Sequence, residues 1–281
     1  NMISSLDHLI VAVKDLQEAE LNYKKVFGIE PVWRGQHKEL GTANSIFNFN
    51  NTYFELLAAK GKGLGASLVE NAIEENGDGL IGIVFGTKDI NKASKRLTKM
   101  GYSVAEISEG EGTDNYSKVT RNWKNLFLPP ELTRGIFSFI IEHTHGNLPM
   151  IKEFPKDTIN KLDHVVINTN DADGLINIYK DVFDIRLALD RVIEHWKRRM
   201  LFFRVNETTI EVIEGKNENE PSDTLWGLAW EVASIEDAHK RLLDNGVEVT
   251  PIKKGLKENT LVATIKSHTH NVPTLLIEHT K

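Results

Sequence analysis

The chain has 281 residues and contains no cysteine. The absence of thiols excludes disulfide bridges, thiolate metal ligands and a cysteine nucleophile. Any chemistry must therefore use histidine, carboxylate, hydroxyl or amide groups. A chain without disulfides also suits a reducing compartment, and we expect the protein to be cytoplasmic.

Long apolar runs and an excess of positive charge are missing as well. No stretch of about 18 apolar residues occurs, so the sequence predicts no membrane-spanning helix. The first residues lack a basic region followed by an apolar one, and we expect no secretory signal. The net charge of −6 argues against a nucleic-acid partner, which would require a basic face. We expect a small-molecule ligand, no nucleic acid and no membrane, for a protein that is either a monomer or a homodimer.

The sequence does contain an internal repeat. The stretch Leu6-Asp7-His8 opens a strand-like run of apolar residues, and Leu162-Asp163-His164 opens a second run. His164 follows His8 by 156 residues (164 − 8), and the same offset relates Tyr23 to Tyr179, Phe27 to Phe183 and Glu55 to Glu211. An ungapped correspondence of this length indicates internal duplication. We therefore predict two domains, at residues 2–146 and 161–281, joined by a linker at 147–160.

Each half contains two similar modules of one strand, one helix and three further strands. In the first module, apolar residues recur at helical spacing from Leu16 to Phe27, and Gly28 ends the helix. In the second module, residues 102–107 are predicted to form a strand and residues 108–117 a polar loop. The predicted fold class is therefore α+β, with four βαβββ modules paired into two domains.

These four modules resemble the vicinal oxygen chelate superfamily, which includes glyoxalase I, extradiol dioxygenases and bleomycin-resistance proteins. The first half resembles the glyoxalase-like branch of that superfamily. The stretches that carry the resemblance are Leu6-Asp7-His8, His37-Lys38-Glu39-Leu40-Gly41-Thr42-Ala43-Asn44, Tyr53-Phe54-Glu55-Leu56, Trp123 and Ile141-Glu142. The likeness covers most of residues 5–145, and the second half only module by module. It implies two domains of the glyoxalase/bleomycin-resistance type, in each of which two modules curl into a half-barrel cup.

The resemblance further implies a metal site in each cup, on the first and last strands of the two modules. The corresponding positions are His8, Glu55, Gly82 and Glu142 in the first half, and His164, Glu211, Gly227 and Glu278 in the second. One imidazole and two carboxylates can hold a divalent ion such as Mn, Fe, Ni, Co or Zn. The expected metal ligands are His8, Glu55 and Glu142, with His164, Glu211 and Glu278 as a second set. Glycine has no donor atom, however, so a cup without metal is an equal expectation.

Other residues of the first half are expected to contact the substrate. His37, Asn44 and Trp123 belong to the stretches that match the branch, and they predict a polar pocket with an aromatic wall. Arg134 is expected to pair with an anionic group of the substrate, and Glu142 and His37 are predicted to transfer protons. The alternatives are structural: a turn around Asn44, a core position for Trp123 and a solvated Arg134.

Alternation along the last strand of each domain gives one further prediction. Since Glu142 and Glu278 are expected to point into the cups, the residues that follow them, His143 and His279, are expected to face away.

Two functions follow from these expectations. The first is a divalent-metal-dependent enzyme, a lyase or an isomerase, that acts on a small oxygenated molecule in the cup of the first domain. The second is a metal-free protein that binds or sequesters a small molecule, as bleomycin-resistance relatives do. Gly82 and Gly227 favour the second function, because they remove a ligand and are expected to widen the cups. Stoichiometric bound metal would distinguish the two.

Overall fold

The computed structural model describes residues 2–281 and contains two eight-stranded sheets, one from each half of the chain. The strands of the first half are β1 Ser5–Ala12, β2 Trp33–His37, β3 Thr42–Asn48, β4 Tyr53–Ala59, β5 Gly79–Gly86, β6 Ser108–Thr113, β7 Thr120–Phe127 and β8 Phe137–His145. Those of the second half are β9 Ile159–Thr169, β10 Arg186–Ile193, β11 Arg198–Val205, β12 Thr208–Glu214, β13 Asp223–Val232, β14 Lys253–Lys254, β15 Thr260–Ile265 and β16 Thr274–His279.

The helices are α1 Leu16–Phe27, α2 Leu64–Asn76, α3 Ile90–Lys99, α4 Pro130–Thr133, α5 Ala172–Ile176 and α6 Ile235–Asp244. A π-helical segment, Asn177–Val182, continues α5. Helices α1, α3, α5 and α6 each follow the first strand of a module, whereas α2 and α4 lie outside this pattern. Among residues 2–281, no helix combines the length and the apolar character needed to cross a membrane.

Each sheet is built around the first strands of its two modules. The strand order is β2-β3-β4-β1-β5-β8-β7-β6 in the first sheet and β10-β11-β12-β9-β13-β16-β15-β14 in the second. Strand β1 pairs antiparallel with β5 and parallel with β4, and β9 pairs in the same way with β13 and β12. The predicted fold class, four βαβββ modules paired into two domains, is confirmed.

The side chains of β1 alternate between two environments. Leu9 and Val11 are fully buried in the core beneath the helices. Ile10 and Ala12 belong to a separate apolar cluster on the concave face, and the His8 ring contacts Phe139 of that cluster. Alternate side chains point to opposite faces of a strand, so the Leu-Asp-His motif places its histidine in the cup.

The helix-covered faces of the two sheets pack on each other and share one apolar core. The Phe27 ring lies 5.0 Å from the Trp230 ring, and the Phe85 ring lies 5.5 Å from the Phe183 ring. Such aromatic pairs add to the free energy gained from burial. The concave faces of the two sheets therefore point away from the junction between the halves.

Helix α1 is closed at its C-terminus by a residue of the second half. The Asp15 side chain caps its first turn, and Gly28, with a φ of 76°, ends it. Arg241 donates hydrogen bonds to the carbonyl oxygens of Lys25 and Val26, at the negative end of the helix dipole. The two halves are therefore joined by polar contacts in addition to the shared apolar core.

Three local predictions differ from the structure. The sequence prediction omits helix α2, residues 102–107 form no strand, and residues 108–113 of the predicted polar loop form strand β6. Strand β6 can be polar because it lies at the edge of the sheet. Its Gly110 and Gly112 leave room for the Trp123 ring, which lies where their side chains would be.

Arg134 joins the two halves instead of facing a substrate site. It follows α4 and is 8% exposed. Its Nη2 donates to Asp223 Oδ1 (2.9 Å) and Thr169 Oγ1 (2.9 Å), and its Nη1 donates to Asp171 Oδ2 (3.1 Å). The predicted substrate contact of Arg134 is therefore corrected, because carboxylates of the second half already pair with this guanidinium.

We expect Arg134→Ala to lower the free energy of unfolding by about 3–5 kcal/mol, since it leaves the buried Asp223 carboxylate without its partner. Burial raises the pKa of Asp223 even with Arg134 present. The loss should therefore be larger at pH 7 than at pH 4, where the unpaired carboxyl group is protonated. Urea unfolding at both pH values measures the effect.

Arg191→Ala is the matched control, because Arg191 is exposed on β10. It should change the free energy of unfolding by less than about 0.5 kcal/mol. A loss of less than about 1 kcal/mol in Arg134→Ala at pH 7 would contradict the role assigned to this ion pair.

Candidate functional site

The concave side of the first sheet is closed into a barrel. Gly35 on β2 forms a bridge with Asp114, at the end of β6, so the two edges of the sheet meet. Asp114 Oδ1 also accepts a hydrogen bond from the Arg34 N–H (2.9 Å). Helix α2 packs Val69 against inner-face residues such as Ile10. We call this closed sheet the N-terminal barrel; its interior is shielded from solvent.

His8 is the central polar residue of the N-terminal barrel. It is 3% exposed, and its ring stacks on that of Tyr53 with the centroids 4.3 Å apart. Its Nδ1 lies 2.7 Å from Asp7 Oδ2, and its Nε2 lies 3.5 Å from Glu55 Oε1. A carboxylate on one ring nitrogen fixes the orientation of the imidazole and directs the other nitrogen toward its partner. The structure thus brings His8 and Glu55 together.

These contacts set the charges in the barrel. Burial alone would lower the pKa of His8, but hydrogen bonds to Asp7 and Glu55 raise it above its ordinary value. Burial would raise the pKa of Asp7, yet hydrogen bonds from His143 and His8 hold it well below its usual range. The pKa of Glu55 is lowered because the interaction with His8 outweighs burial. Without a metal ion, an imidazolium therefore lies between two carboxylates.

The predicted pocket residues Asn44, His37 and Trp123 lie around this pair. Asn44 Nδ2 donates to Glu55 Oε2 (2.7 Å) and so positions the carboxylate. His37 Nδ1 lies 3.1 Å from Thr42 Oγ1, and the His37 ring meets the Trp123 ring edge-on at 5.9 Å. Burial lowers the pKa of His37, so this imidazole is neutral at pH 7.

Glu142 lies on the opposite face of the sheet from His8. Phe139 faces the barrel interior, and Glu142, three residues further along β8, therefore points to the helix side. Its Oε1 accepts a hydrogen bond from the Ile90 N–H (2.8 Å) at the start of α3. Glu278 caps the first N–H of α6 in the same way (2.8 Å). The predicted roles of Glu142, as ligand and proton-transfer group, and of Glu278, as ligand, are corrected: both carboxylates cap helices.

The same alternation turns two histidines toward the cups. His143 Nε2 lies 2.9 Å from Asp7 Oδ1, so Asp7 contacts both His143 and His8. In the second half, His279 Nε2 contacts Asp163 in the same way. The prediction that His143 and His279 face away from the cups is therefore wrong. The error is one residue in the phase of β8 and β16.

The second half repeats the Asp–His–Glu contacts in a different setting. His164 Nδ1 lies 2.7 Å from Asp163 Oδ2, and His164 Nε2 lies 3.4 Å from Glu211 Oε2. Lys257 Nζ lies 3.8 Å from the same Glu211 oxygen and 5.1 Å from the centroid of the Phe202 ring. The Glu211 carboxylate thus lies near an ammonium group, whereas the Glu55 carboxylate of the first half is held by the neutral amide of Asn44.

The second sheet also differs in shape. Strand β14 has only two residues, and within the described residues 2–281 no bridge joins it to β10. The edges of this sheet therefore do not meet, and the second cup stays open.

Gly82 and Gly227 do not widen the cups. A β-carbon at Gly82 would lie 3.1 Å from the Phe137 ring and 3.2 Å from the Ile10 β-carbon. At Gly227 it would lie 2.7 Å from the Pro273 carbonyl oxygen. Both glycines permit close packing, so their expected effect on cup size is corrected.

The donors present in the N-terminal barrel fit a divalent ion held by two protein ligands. His8 Nε2 and Glu55 converge at 3.5 Å, and Asp7 orients the imidazole as outer-shell carboxylates do in metal sites. The partner module places apolar Val84 and Phe139 on the inner face, and its inner-face histidine, His143, is engaged by Asp7. Open coordination positions would then be left for water and substrate.

One tighter cluster of donors occurs in the second half. In the part of the chain that the structure describes, a single group of three His, Asp or Glu side chains brings its ligand atoms within 4.8 Å of one another, namely Asp163, Glu231 and His279. His279 is exposed, and its Nε2 is already engaged by Asp163.

Sequence reasoning misses Arg121, which lies inside the N-terminal barrel. It is 3% exposed, and its guanidinium carbon lies 4.4 Å from the Trp33 ring centroid and 5.3 Å from the Trp123 ring centroid. Arg121 and Trp123 are two residues apart on β7, so they share a face. This alternation around Trp123 is the signal in the sequence that points to Arg121.

Two family models match the chain. The model described as "Glyoxalase-like domain" matches residues 6–183, which is more than half of the chain. The model described as "Glyoxalase/Bleomycin resistance protein/Dioxygenase superfamily" matches residues 163–264. No curated protein matches the chain.

Solved structures of the same fold extend over both halves. A triple mutant of 4-hydroxymandelate synthase from Streptomyces coelicolor is 14% identical, with a TM-score of 0.70, and the match covers 100% of this chain and 94% of that one. A hypothetical protein from Staphylococcus aureus is 14% identical, with a TM-score of 0.68 and coverage of 97% and 98%. The Mn(II)-bound glyoxalase from Novosphingobium aromaticivorans is 14% identical, with a TM-score of 0.64 and coverage of 100% and 83%. The chain belongs to the glyoxalase-like domain family of the vicinal oxygen chelate superfamily and carries two such domains.

Proposed function

We propose that the N-terminal barrel is the active site of a divalent-metal-dependent enzyme, a lyase or an isomerase that acts on a small oxygenated molecule. The observation that carries this proposal is the 3.5 Å contact between His8 Nε2 and Glu55 Oε1, with Asp7 on the other ring nitrogen. Mn, Fe, Ni, Co and Zn all accept imidazole and carboxylate ligands. One structural neighbour is a Mn(II)-bound glyoxalase, which supports testing manganese first.

The first half suits a metal ion better than the second half. In the N-terminal barrel, the neutral Asn44 amide holds Glu55 (2.7 Å), whereas the Lys257 ammonium lies 3.8 Å from Glu211 in the second half. A positive charge beside a ligand carboxylate opposes the approach of a cation. We therefore assign the reaction to the N-terminal barrel.

The surrounding side chains suit proton transfer and substrate binding. A bound metal ion supplies a Lewis acid that polarises a carbonyl oxygen. His37 is neutral because burial lowers its pKa, and a neutral imidazole can accept a proton from a substrate. Burial raises the pKa of Tyr53 well above its ordinary value, so its hydroxyl stays protonated and can donate a hydrogen bond. Trp123 provides an aromatic wall.

A metal-free protein of the bleomycin-resistance kind, which binds or sequesters a small molecule, is the second candidate. Val84 and Phe139, which the partner module places on the inner face, have no donor atom, and its inner-face histidine, His143, is engaged by Asp7. The His8 imidazolium between Asp7 and Glu55 also satisfies its charges without a metal ion. Metal content decides between the two functions.

We expect protein supplied with Mn, Fe, Ni, Co or Zn to retain about one ion per chain, measured by plasma mass spectrometry. His8→Ala should lose the ion, because it removes one of two protein ligands. His164→Ala is the matched control, since it removes the equivalent imidazole of the second half and should leave the metal content unchanged. Lys257→Met should allow a second ion to bind, as it removes the competing charge beside Glu211.

Two results would contradict this assignment. If the wild type holds no metal, and none of the five ions raises its thermal unfolding temperature, the enzyme proposal fails and the binding protein remains. If His164→Ala loses the metal and His8→Ala keeps it, the reaction belongs to the second half.

The charge on His8 also makes the stability of the metal-free protein depend on pH. Because its pKa is raised in the folded state, the contribution of His8 to the free energy of unfolding is complete below about pH 6.5 and is lost as the pH rises through the folded-state pKa. In EDTA, the stability difference between wild type and His8→Gln should be larger at pH 6 than at pH 9. Urea unfolding measures it, and a difference that grows with pH would argue against the imidazolium.

A further inference from the structure

The N-terminal barrel contains a buried cation that has no ionic partner. Among residues 2–281, the buried arginine side chains are Arg134 and Arg121. Arg134 pairs with Asp171 and Asp223. The Nε of each of these arginines is buried without a hydrogen-bond partner. Within the same residues, however, no carboxylate oxygen lies within 4.0 Å of a guanidinium nitrogen of Arg121. This difference between the two arginines calls for an explanation.

A lone guanidinium in an enclosed barrel is energetically costly. Arginine does not lose its proton at physiological pH, and an unpaired charge strongly disfavours burial. The Trp33 and Trp123 rings, at 4.4 and 5.3 Å from the guanidinium carbon, offset part of this cost through cation–π attraction. This attraction to the rings uses no hydrogen bond, and the buried Nε–H is left for another partner.

A second polar atom on the same face of β7 also lacks a partner. Asn125 Oδ1 is buried and accepts no hydrogen bond. Since Leu126 lies in the core beneath the helices, alternation places Asn125 on the inner face with Trp123 and Arg121. An unmet donor and an unmet acceptor thus flank the Trp123 ring inside the barrel. Buried polar groups without partners are rare, and a ligand that meets both groups would account for them.

We propose that Arg121 binds the carboxylate group of the small molecule that enters the N-terminal barrel, so that the substrate is a monocarboxylic acid. This inference rests on the proposed function in that it uses the same barrel, but it requires no metal ion. A guanidinium offers two parallel N–H donors that match the two oxygens of a carboxylate.

The other charges of the barrel disfavour a dianion such as phosphate. The carboxylates of Asp7 and Glu55 lie there, on either side of the His8 ring, and they repel a second negative charge on the ligand. His8 is already engaged by these two carboxylates. Tyr53, whose ring stacks on that of His8, adds a hydroxyl donor to the same barrel.

The test compares carboxylates with their neutral amides in metal-free protein kept in EDTA. Acetate, pyruvate and phenylacetate are titrated beside acetamide, pyruvamide and phenylacetamide, and nuclear magnetic resonance follows the indole N–H signals of Trp33 and Trp123. At least one carboxylate should shift these signals, and its amide should not do so at the same concentration. Arg121→Gln should weaken carboxylate binding by about tenfold or more, because it removes the charge and the paired donors.

Arg121→Lys and Arg191→Gln complete the design. Arg121→Lys keeps the charge but loses the paired donors. Its affinity for the carboxylate should lie between that of the wild type and that of Arg121→Gln. It replaces Arg121→Gln in the test if that variant does not fold. Arg191→Gln changes an exposed arginine and should bind as the wild type does. The proposal is overturned if the amides bind as tightly as the carboxylates, if an Arg121 variant binds like the wild type, or if no carboxylate shifts either indole signal.

His8→Ala separates this inference from the proposed enzyme. The variant should lose the metal ion and still bind the carboxylate, since Arg121 is not one of the metal ligands. Carboxylate binding without any metal binding would refute the metal-dependent enzyme and leave the role of Arg121 standing. If the wild type binds metal but no carboxylate, the role of Arg121 is refuted and the metal-dependent enzyme remains.

Discussion

The antiparallel pairing of β1 with β5 decides which side chains enter the N-terminal barrel. Because side chains alternate along a strand, the register that buries Leu9 and Val11 in the shared core also directs His8 and Ile10 to the concave face. A slip of one residue would place an imidazole in the apolar core and expose the core residues to the barrel. Burial of the core side chains stabilises the fold. This free energy offsets the cost of removing the charged side chains of the site from water. The geometry of the site is therefore a consequence of core packing.

The buried charges of this protein fall into three arrangements. Arg134 meets two carboxylates across the junction of the halves, so its role is structural. His8 lies between Asp7 and Glu55, an arrangement that is complete without metal and would supply a ligand pair if a metal ion replaced the proton. Arg121 lies close to the rings of Trp33 and Trp123 and pairs with no carboxylate. The first arrangement stabilises the junction of the halves. Under the proposals above, the second would hold a metal ion and the third would bind a ligand.

The repeat in the sequence is sufficient to predict the four modules, since each copy carries its own strand and helix periodicity. His8 and Glu55 can be predicted as neighbours because each follows a clear alternation on its strand. The phase of β8 cannot be read in this way: the apolar residues in the run from Phe137 to Ile141 face both sides of the sheet, so they do not show whether Glu142 or His143 points inward. The N-terminus of α3 decides it by attracting the carboxylate of Glu142. Arg121 escapes prediction because a single arginine in a polar strand usually lies in solvent, and only the closure of the barrel buries it.

The two halves provide an internal comparison of one set of residues in two surroundings. The imidazole–carboxylate distances agree, 3.5 Å in the first half and 3.4 Å in the second, so the set itself cannot account for a functional difference between them. The surroundings differ: the first sheet closes through Gly35 and Asp114, whereas the second stays open and brings Lys257 to its glutamate. Exclusion of water strengthens every electrostatic interaction within a site, and an ammonium group beside a carboxylate weakens its attraction for a cation. In the closed barrel, the three side chains would therefore attract a metal ion more strongly than in the open cup, where Lys257 completes an ion-pair cluster.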